Sequence, residues 1–450
     1  MKPFSGQLSG SFHQHWKLIL WHRLLVLSIA TTIFAAAKLK QEMLFNTFTL
    51  PNGLRIIHAS SPTQVVYCGY AINAGTRDEA DNEQGLAHFV EHLIFKGTTK
   101  RRAWHILNRM EHVGGDLNAY TNKEETVIYA TSLAEHFGRA LELMTDIVFH
   151  SVFPPHEIEK EVEVILDEIQ SYEDTPSELI FDDFEELAFK GHPLGRNILG
   201  NPETLRTFGT EDALRWVGKY YHPDNMVFFV FGNIPFNTIV RKVREATEDV
   251  PAVTTLKPQS TLPDYEPTRK QFDKDTHQAH VMIGTRSYPA NDERRTGLYL
   301  LNNLLGGPGM NSRLNVSLRE RKGLVYTVES NLISYTDTGT FSIYFGCDPA
   351  DVDKCLHLVR KELDLLREKP LTPSQLKAAQ KQLIGQIAVA SDNFENIALE
   401  MGKTYLHYDK YESQEAVFQR IEALRPELLQ QIANELFTDE QMTTLLYLHA

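Results

Sequence analysis

From residue 45 onward the apolar positions fall into short, interpretable runs. Residues 45–50 and 54–57, separated by Pro51-Asn52-Gly53, read as strand, turn, strand. A further strand is predicted over 65–74, ending at Gly75-Thr76. Residues 85–96 carry a helical pattern closed by Gly97, and 103–113 a second one stopped by Gly114-Gly115. Residues 117–131 read as two strands turning at Asn122-Lys123-Glu124. Long helical periodicities cover 133–149, 155–172 and 178–189, the last before His192-Pro193-Leu194-Gly195. Residues 226–231 are apolar throughout, as in a strand buried on both faces.

Periodicity fades between 248 and 274, where Pro251, Pro258, Pro263 and Pro267 sit among Thr, Ser and Asp. Beyond that stretch the layout repeats. A strand over 279–284 precedes a helix over 293–305, and a strand over 340–345 precedes a helix over 352–367. Leu371-Thr372-Pro373 opens a long helix much as Phe153-Pro154-Pro155 does. The pattern predicts an α+β fold of two homologous domains, each a mixed, mostly antiparallel sheet packed with helices. The domains are 43–250 and 269–450, joined by a linker over 251–268, with 1–42 outside both.

The length of 450 residues suits two domains, and 23% charged with 42% hydrophobic residues is a globular composition. A formal net charge of -14, with no lysine- or arginine-rich block, argues against a nucleic-acid partner held through phosphates. Cys68, Cys347 and Cys355 have no disulfide or zinc-ribbon spacing and read as reduced, small hydrophobes. In the first 42 residues, Lys2, Lys17 and Arg23 precede an apolar run over 24–37 ending in Ala35-Ala36-Ala37. Two readings stand. The run is an export signal or an anchor, which places the protein in a periplasm or at a membrane, with membrane contact only if 18–37 is retained. Alternatively, translation begins at Met43 and the protein works in a bacterial-type cytoplasm.

The candidate chemistry sits on the helix over 85–96. His88 and His92 are four residues apart, one turn, so their imidazoles share a face and can hold one metal ion. Glu91 borders that face, placed to activate a metal-bound water. The order H-x-x-E-H inverts the H-E-x-x-H of the common zinc peptidases. A catalytic site needs a third ligand. The helix over 155–172 offers Glu161 and Glu168 seven apart, with Val164 and Ile165 between them on a face expected to turn from water. Read alone, the same residues also describe a solvated acidic face, and Glu163 and Asp167 point elsewhere.

Taken together these residues resemble the pitrilysin-like M16 metallopeptidases, in the short subfamily that includes the mitochondrial processing peptidase. The resemblance runs from about residue 44 to the C-terminus. It implies one Zn2+ per chain held by His88, His92 and Glu168, with Glu91 passing a proton from the zinc-bound water to the leaving amine. Glu161 would stand behind the ligands, orienting one of them or serving as an alternate carboxylate. Gly115-Asp116-Leu117-Asn118-Ala119-Tyr120-Thr121 resembles the family's substrate-binding edge strand, with Asn118 and Ala119 as the contact residues; without the family it is an ordinary hairpin strand. Arg319 and Tyr326 resemble the family's arginine–tyrosine pair, Tyr326 donating to an oxyanion and Arg319 holding substrate backbone. Gly306-Gly307-Pro308-Gly309 lacks the Lys-Ser/Thr of a phosphate loop.

The resemblance implies a zinc endopeptidase acting on unfolded peptides or oligopeptides. It also implies a homodimer whose composite active sites take the zinc ligands from one chain and the Arg/Tyr pair from the other. A specific precursor-processing peptidase, a non-catalytic peptide-binding subunit and a metal-dependent hydrolase of other substrates are the alternatives. His58, His112, His136, His150, His156, His222 and His280 have no ligand spacing with the motif and read as packing or surface residues.

Overall fold

In the computed structural model, residues 45–257 and 260–449 are described, so both readings of residues 1–42 fall outside the described residues. The first half contributes strands β1 (Phe45–Thr49), β2 (Arg55–Ala59), β3 (Val65–Ile72), β4 (Asp116–Thr121), β5 (Thr126–Leu133) and β6 (Met226–Phe231). Its helices are α1 (Leu86–Leu93), α2 (Ala103–Glu111), α3 (Phe137–Phe149), α4 (Pro155–Glu173), α5 (Pro176–Ala188), α6 (Pro202–Leu205), α7 (Thr210–Tyr220) and α8 (Phe236–Ala246). The second half contributes β7 (Arg269–Asp273), β8 (Ala279–Ser287), β9 (Val325–Ser334), β10 (Gly339–Cys347) and β11 (Thr443–Leu448). Its helices are α9 (Arg295–Gly306), α10 (Val352–Glu368), α11 (Pro373–Ala390), α12 (Phe394–Tyr408), α13 (Gln414–Glu422) and α14 (Pro426–Leu436).

Two sheets result, of order β1-β2-β6-β3-β5-β4 and β7-β11-β8-β10-β9. Setting aside β1, the orders correspond strand for strand. β2 pairs with β6 in parallel and β7 pairs with β11 in parallel, while the remaining pairs are antiparallel. The duplicated, mostly antiparallel α+β architecture read from the sequence is therefore present. β4 and β9 are equivalent free edges.

Several boundaries differ from the sequence reading, and two of them have a clear local cause. The helix over 85–96 ends at Leu93, and Gly97 does not cap it but bridges to Arg102. The helix expected from 133 starts at Phe137, because Leu133 is still paired in β5 opposite Val65 and a single 3-10 turn, Ala134–His136, intervenes. Elsewhere local chemistry sets the ends: Thr372 and Gln375 form a reciprocal cap on α11, with Pro373 at its first position.

Each sheet carries its own core of apolar residues, but the helices are not apportioned by halves. α5, from the first half, lies on the second sheet, where Ile180, Phe184, Leu187 and Phe189 pack with Met282, Tyr335, Tyr344, Leu445 and Tyr447. α12, from the second half, lies across β6 and β3 of the first sheet. A glycine admits each crossing. A Cβ on Gly402 of α12 would stand 2.5 Å from Phe229 Cδ1, and one on Gly284 of β8 would stand 2.7 Å from Phe184 Cζ. Polar bonds tie the same seam. Arg77 reaches both Glu124 (2.6 Å) and Asp337, Tyr335 donates to Glu185 (2.5 Å), and His407 lies 3.1 Å from Glu125. The proline-rich connection is itself pinned, Lys257 pairing with Asp78 (2.8 Å) and Asn73 (2.9 Å).

All three cysteines are free and buried; Cys347 at the end of β10 and Cys355 in α10 come close enough for their thiols to hydrogen-bond. No helix of the described residues is long and apolar enough to cross a membrane.

Candidate metal centre

α1 is held from both ends of its chemistry. Leu86, Ala87, Phe89, Val90 and Leu93 bury its apolar face in the first core. Its first backbone amides have no helical acceptor. Glu79 supplies one, its two oxygens accepting from Gly85 N–H at 3.0 Å and Ala87 N–H at 2.9 Å. Burial pushes the Glu79 carboxyl up to about 8 against the pull of those amides. Gly85 sits at φ 89°, backed by Gly200, a conformation that favours glycine. The motif helix is thus fixed in pitch and direction before any ligand is added.

On its other face the His88 and His92 rings meet edge to face, 4.6 Å between centroids. Glu168 of α4 faces both, its Oε2 lying 3.6 Å from His92 Nε2 and 3.9 Å from His88 Nε2. One donor atom from each of the three residues falls within a set no wider than 4.8 Å, the only such metal-donor set among the described residues. Ligands about 2.0–2.2 Å from a tetrahedral zinc stand roughly 3.4 Å from one another, so little contraction is needed. The donor set fits a zinc ion chemically as well: two imidazole nitrogens and one carboxylate. Burial, helped by the neighbouring His92, drives His88 down to about 3, so its ring is neutral and its lone pair free.

Glu161 is buried and turned inward from the same helix, its Oε2 3.2 Å from His92 Nδ1 and its Oε1 2.6 Å from Lys96 Nζ. It therefore acts on the ring atom opposite the one that faces Glu168. The apolar face expected around it is only half realised: Ile165 is fully buried, whereas Val164 is 49% exposed. Glu163 and Asp167 are exposed. Lys96, Glu79 and Thr121 were not singled out from sequence. Lys96 carried a weak signal, standing four residues after His92 on the extrapolated helix face; Glu79, a lone acid in a loop, carried none.

Glu91 is half-buried beside the donor set. Burial raises its carboxyl above the ordinary range, with Glu168 adding repulsion, while Thr121 hydrogen-bonds it and pulls the other way. Thr121 is the last residue of β4, and β4 pairs with β5 on one side only. Asn118 is exposed on that free edge, its amide donating to Asp116 at 2.8 Å, and Ala119 is half-buried against the core. A free edge beside a polar donor set can accept an extended chain through backbone bonds.

Arg319 and Tyr326 lie together in the second half, the guanidinium 5.6 Å from the tyrosine ring centre. Arg319 belongs to a wide helical turn, Asn315–Glu320, and Tyr326 to edge strand β9, where it is 78% exposed. Among the described residues no hydrogen bond, ion pair or ring contact joins either of them to His88, Glu91, His92 or Glu168.

Residues 55–202 match the family model described as insulinase (peptidase family M16), and residues 207–383 match the model described as peptidase M16 inactive domain. An uncharacterized zinc protease of Bacillus subtilis is 33% identical over 402 residues, 89% of this chain and 97% of its own length. Another from Streptomyces coelicolor is 33% identical over 395 residues, 86% of each chain. Among solved structures, a protease from Helicobacter pylori superposes with a TM-score of 0.84 at 21% identity, over 90% of this chain and 100% of that one. A peptidase M16 inactive domain from Pseudomonas fluorescens reaches the same TM-score, 0.84, at 17% identity over 90% and 98%. These two likenesses speak for the fold.

Proposed function

The chain belongs to peptidase family M16, and on that premise we propose that it is a zinc-dependent endopeptidase of unfolded peptides. One observation carries the reading: His88, His92 and Glu168 present donor atoms within 4.8 Å of one another, with Glu91 at their side. When bound, zinc would supply a Lewis acid that brings a water's pKa to roughly 7 and polarises a carbonyl. The remaining work falls to side chains. His88 and His92 offer Nε2, and Glu161 holds the far nitrogen of His92 so that its ring cannot turn away. Glu91, its basicity raised by burial, takes a proton from the attacking water and returns it to the leaving amine. Strand β4, with Asn118 and Ala119, would hold the peptide backbone in register, which sets little demand on side-chain sequence.

Glu91→Gln tests this directly: zinc content should match wild type while peptide turnover falls by about 10²-fold or more. Wild-type-like cleavage would remove Glu91 from the reaction.

The Arg319–Tyr326 pair would complete the site of a second copy in a homodimer, since among the described residues no hydrogen bond, ion pair or ring contact links it to the donor set and Tyr326 stands open to solvent. Mixing Glu91→Gln chains with Tyr326→Phe chains, each impaired alone, should then recover activity, because the mixed dimer has one site with both groups intact. No recovery after verified chain exchange would refute the shared site. Digestion of a mixed peptide library separates general oligopeptide cleavage from processing of one precursor.

A further inference from the structure

The turn that closes the β4–β5 hairpin carries three charged residues in succession, Lys123, Glu124 and Glu125. All three are buried, at 5%, 8% and 8% exposed. Charged side chains at a hairpin tip ordinarily stand in water. Here each is taken up by a different element. Lys123 Nζ lies 3.4 Å from Glu185 and 3.6 Å from Asp182 of α5, and it also donates to the Arg196 carbonyl. Glu125 lies 3.1 Å from His407 of α12. Glu124 is met by the turn between β9 and β10. Its Oε2 accepts from Thr336 N–H (2.9 Å), and its Oε1 accepts from both the Thr336 hydroxyl (2.6 Å) and Arg77 Nη1 (2.6 Å). Arg77 in turn donates to Asp337 of that same turn (2.8 Å).

The first half adds a second grip on the tip. Thr76 N–H and Arg77 N–H donate to the Asn122 and Lys123 carbonyls at 3.2 and 2.8 Å. Gly75 packs so closely there that a Cβ on it would stand 2.5 Å from the Lys123 carbonyl carbon. The tip is therefore where strand β4, the loop leading to α1 and the second half meet. Their need of it differs. α1 already has its own cap in Glu79. β4 is hydrogen-bonded to a neighbour on one side only, and it begins after Gly114-Gly115, the first at φ 67°. An edge that recruits a peptide through backbone bonds gains affinity when it is rigid beforehand. A plain tether between the halves would be served as well by apolar packing, since burying charges costs solvation. What the paired charges add is a fixed position.

We propose that Glu124 is a positioning residue for peptide binding: gripped by Arg77 and Thr336, it fixes the pitch of β4 and so the register in which that edge receives a substrate backbone. The inference rests on the peptidase reading. Peptide affinity is measured on zinc-loaded chains carrying Glu91→Gln, with a fluorescein-labelled unstructured peptide that the wild-type chain cleaves. KM and kcat are measured on chains that keep Glu91. Three donors converge on the two oxygens of Glu124, and Glu124→Gln sets a fourth donor among them. Affinity should fall and KM rise about tenfold, the scale of one charge-assisted hydrogen bond, with kcat within about twofold of wild type. Thr336→Val removes the hydroxyl donor but keeps the backbone bond, and it should weaken binding about threefold; Thr336→Ser should restore it. The Thr336 pair decides the matter if Glu124→Gln fails to fold. Wild-type affinity in a folded Glu124→Gln or in Thr336→Val would overturn the proposal. So would a loss of kcat at unchanged KM, which would put the action of the junction on α1 instead. A wild-type chain that neither cleaves nor binds peptide would sink the peptidase reading and this inference together, whereas cleavage with an indifferent Glu124 would sink the inference alone.

Discussion

Glu161 offers the most discriminating perturbation of the metal centre. Its carboxylate is buried, 3.2 Å from His92 Nδ1 and 2.6 Å from the Lys96 ammonium. In Glu161→Gln the amide oxygen can still accept from His92, so ring orientation survives, but the charge that strengthens the ligand's basicity is lost. Lys96 also loses its partner. Carboxylates placed behind a metal-bound histidine are typically worth 10–100-fold in metal affinity, about 1.4–2.7 kcal/mol. Glu168→Gln should be far more severe, because it removes a ligand rather than its support. The assay is competition for zinc against a chromophoric chelator at one fixed pH, with apo-protein melting temperatures as the control for folding. Two results would refute the argument. Affinity within threefold of wild type would mean that the bond to His92 does not tune the ligand. A loss in Glu161→Gln equal to that in Glu168→Gln would mean that Glu161 itself reaches the metal.

Two further predictions concern the seam between the halves. Glu125 is buried, which alone would raise its carboxyl, but the hydrogen bond and charge of His407 outweigh this and hold it below the ordinary range. Its contribution is therefore present above pH of about 4.5 and lost as pH falls through its lower native value. In His407→Ala burial prevails, the shift reverses, and urea unfolding should show stability rising, not falling, on acidification toward pH 4.5; an unchanged slope would sink the assignment. Gly402→Ala drives a Cβ against the fully buried Phe229 ring and should cost about 1–3 kcal/mol in the same measurement. A neutral result would mean that α12 can lift from the sheet without loss.

Much of this was legible in the chain because the signals were local. The continuous apolar run of β6, the turn at Asn122-Lys123-Glu124 and the Thr372-Pro373 cap each depend on neighbours in sequence, and each is found where the pattern puts it. The doubling of the unit was also readable, because the order of strands and helices repeats. Positions set by distant partners were not. Leu133 continues a strand because Val65 lies opposite, and Gly97 bridges to Arg102 instead of ending a helix. The mixed character of α4 shows the same limit: Ile165 and Val164 are equally apolar, and only the packing of α1 decides which is covered. An acid's usefulness is likewise invisible when its partners are backbone amides, as with Glu79. Least legible was which sheet α5 and α12 would cover, since an amphipathic helix specifies a face but names no partner.

That exchange of α5 and α12 has a consequence for how the molecule can be taken apart. Severing the connection over 251–268 would separate two polypeptides, each holding the lid of the other's sheet and lacking its own. Made alone, either piece would present a naked sheet face with Phe229 or Met282 at its centre, a surface suited to precipitation rather than to a monomer. Made together, they are obligate complements, and their reassembly would be driven by two apolar faces closing at once. In construction this is an intertwined dimer whose two subunits happen to be encoded as one chain.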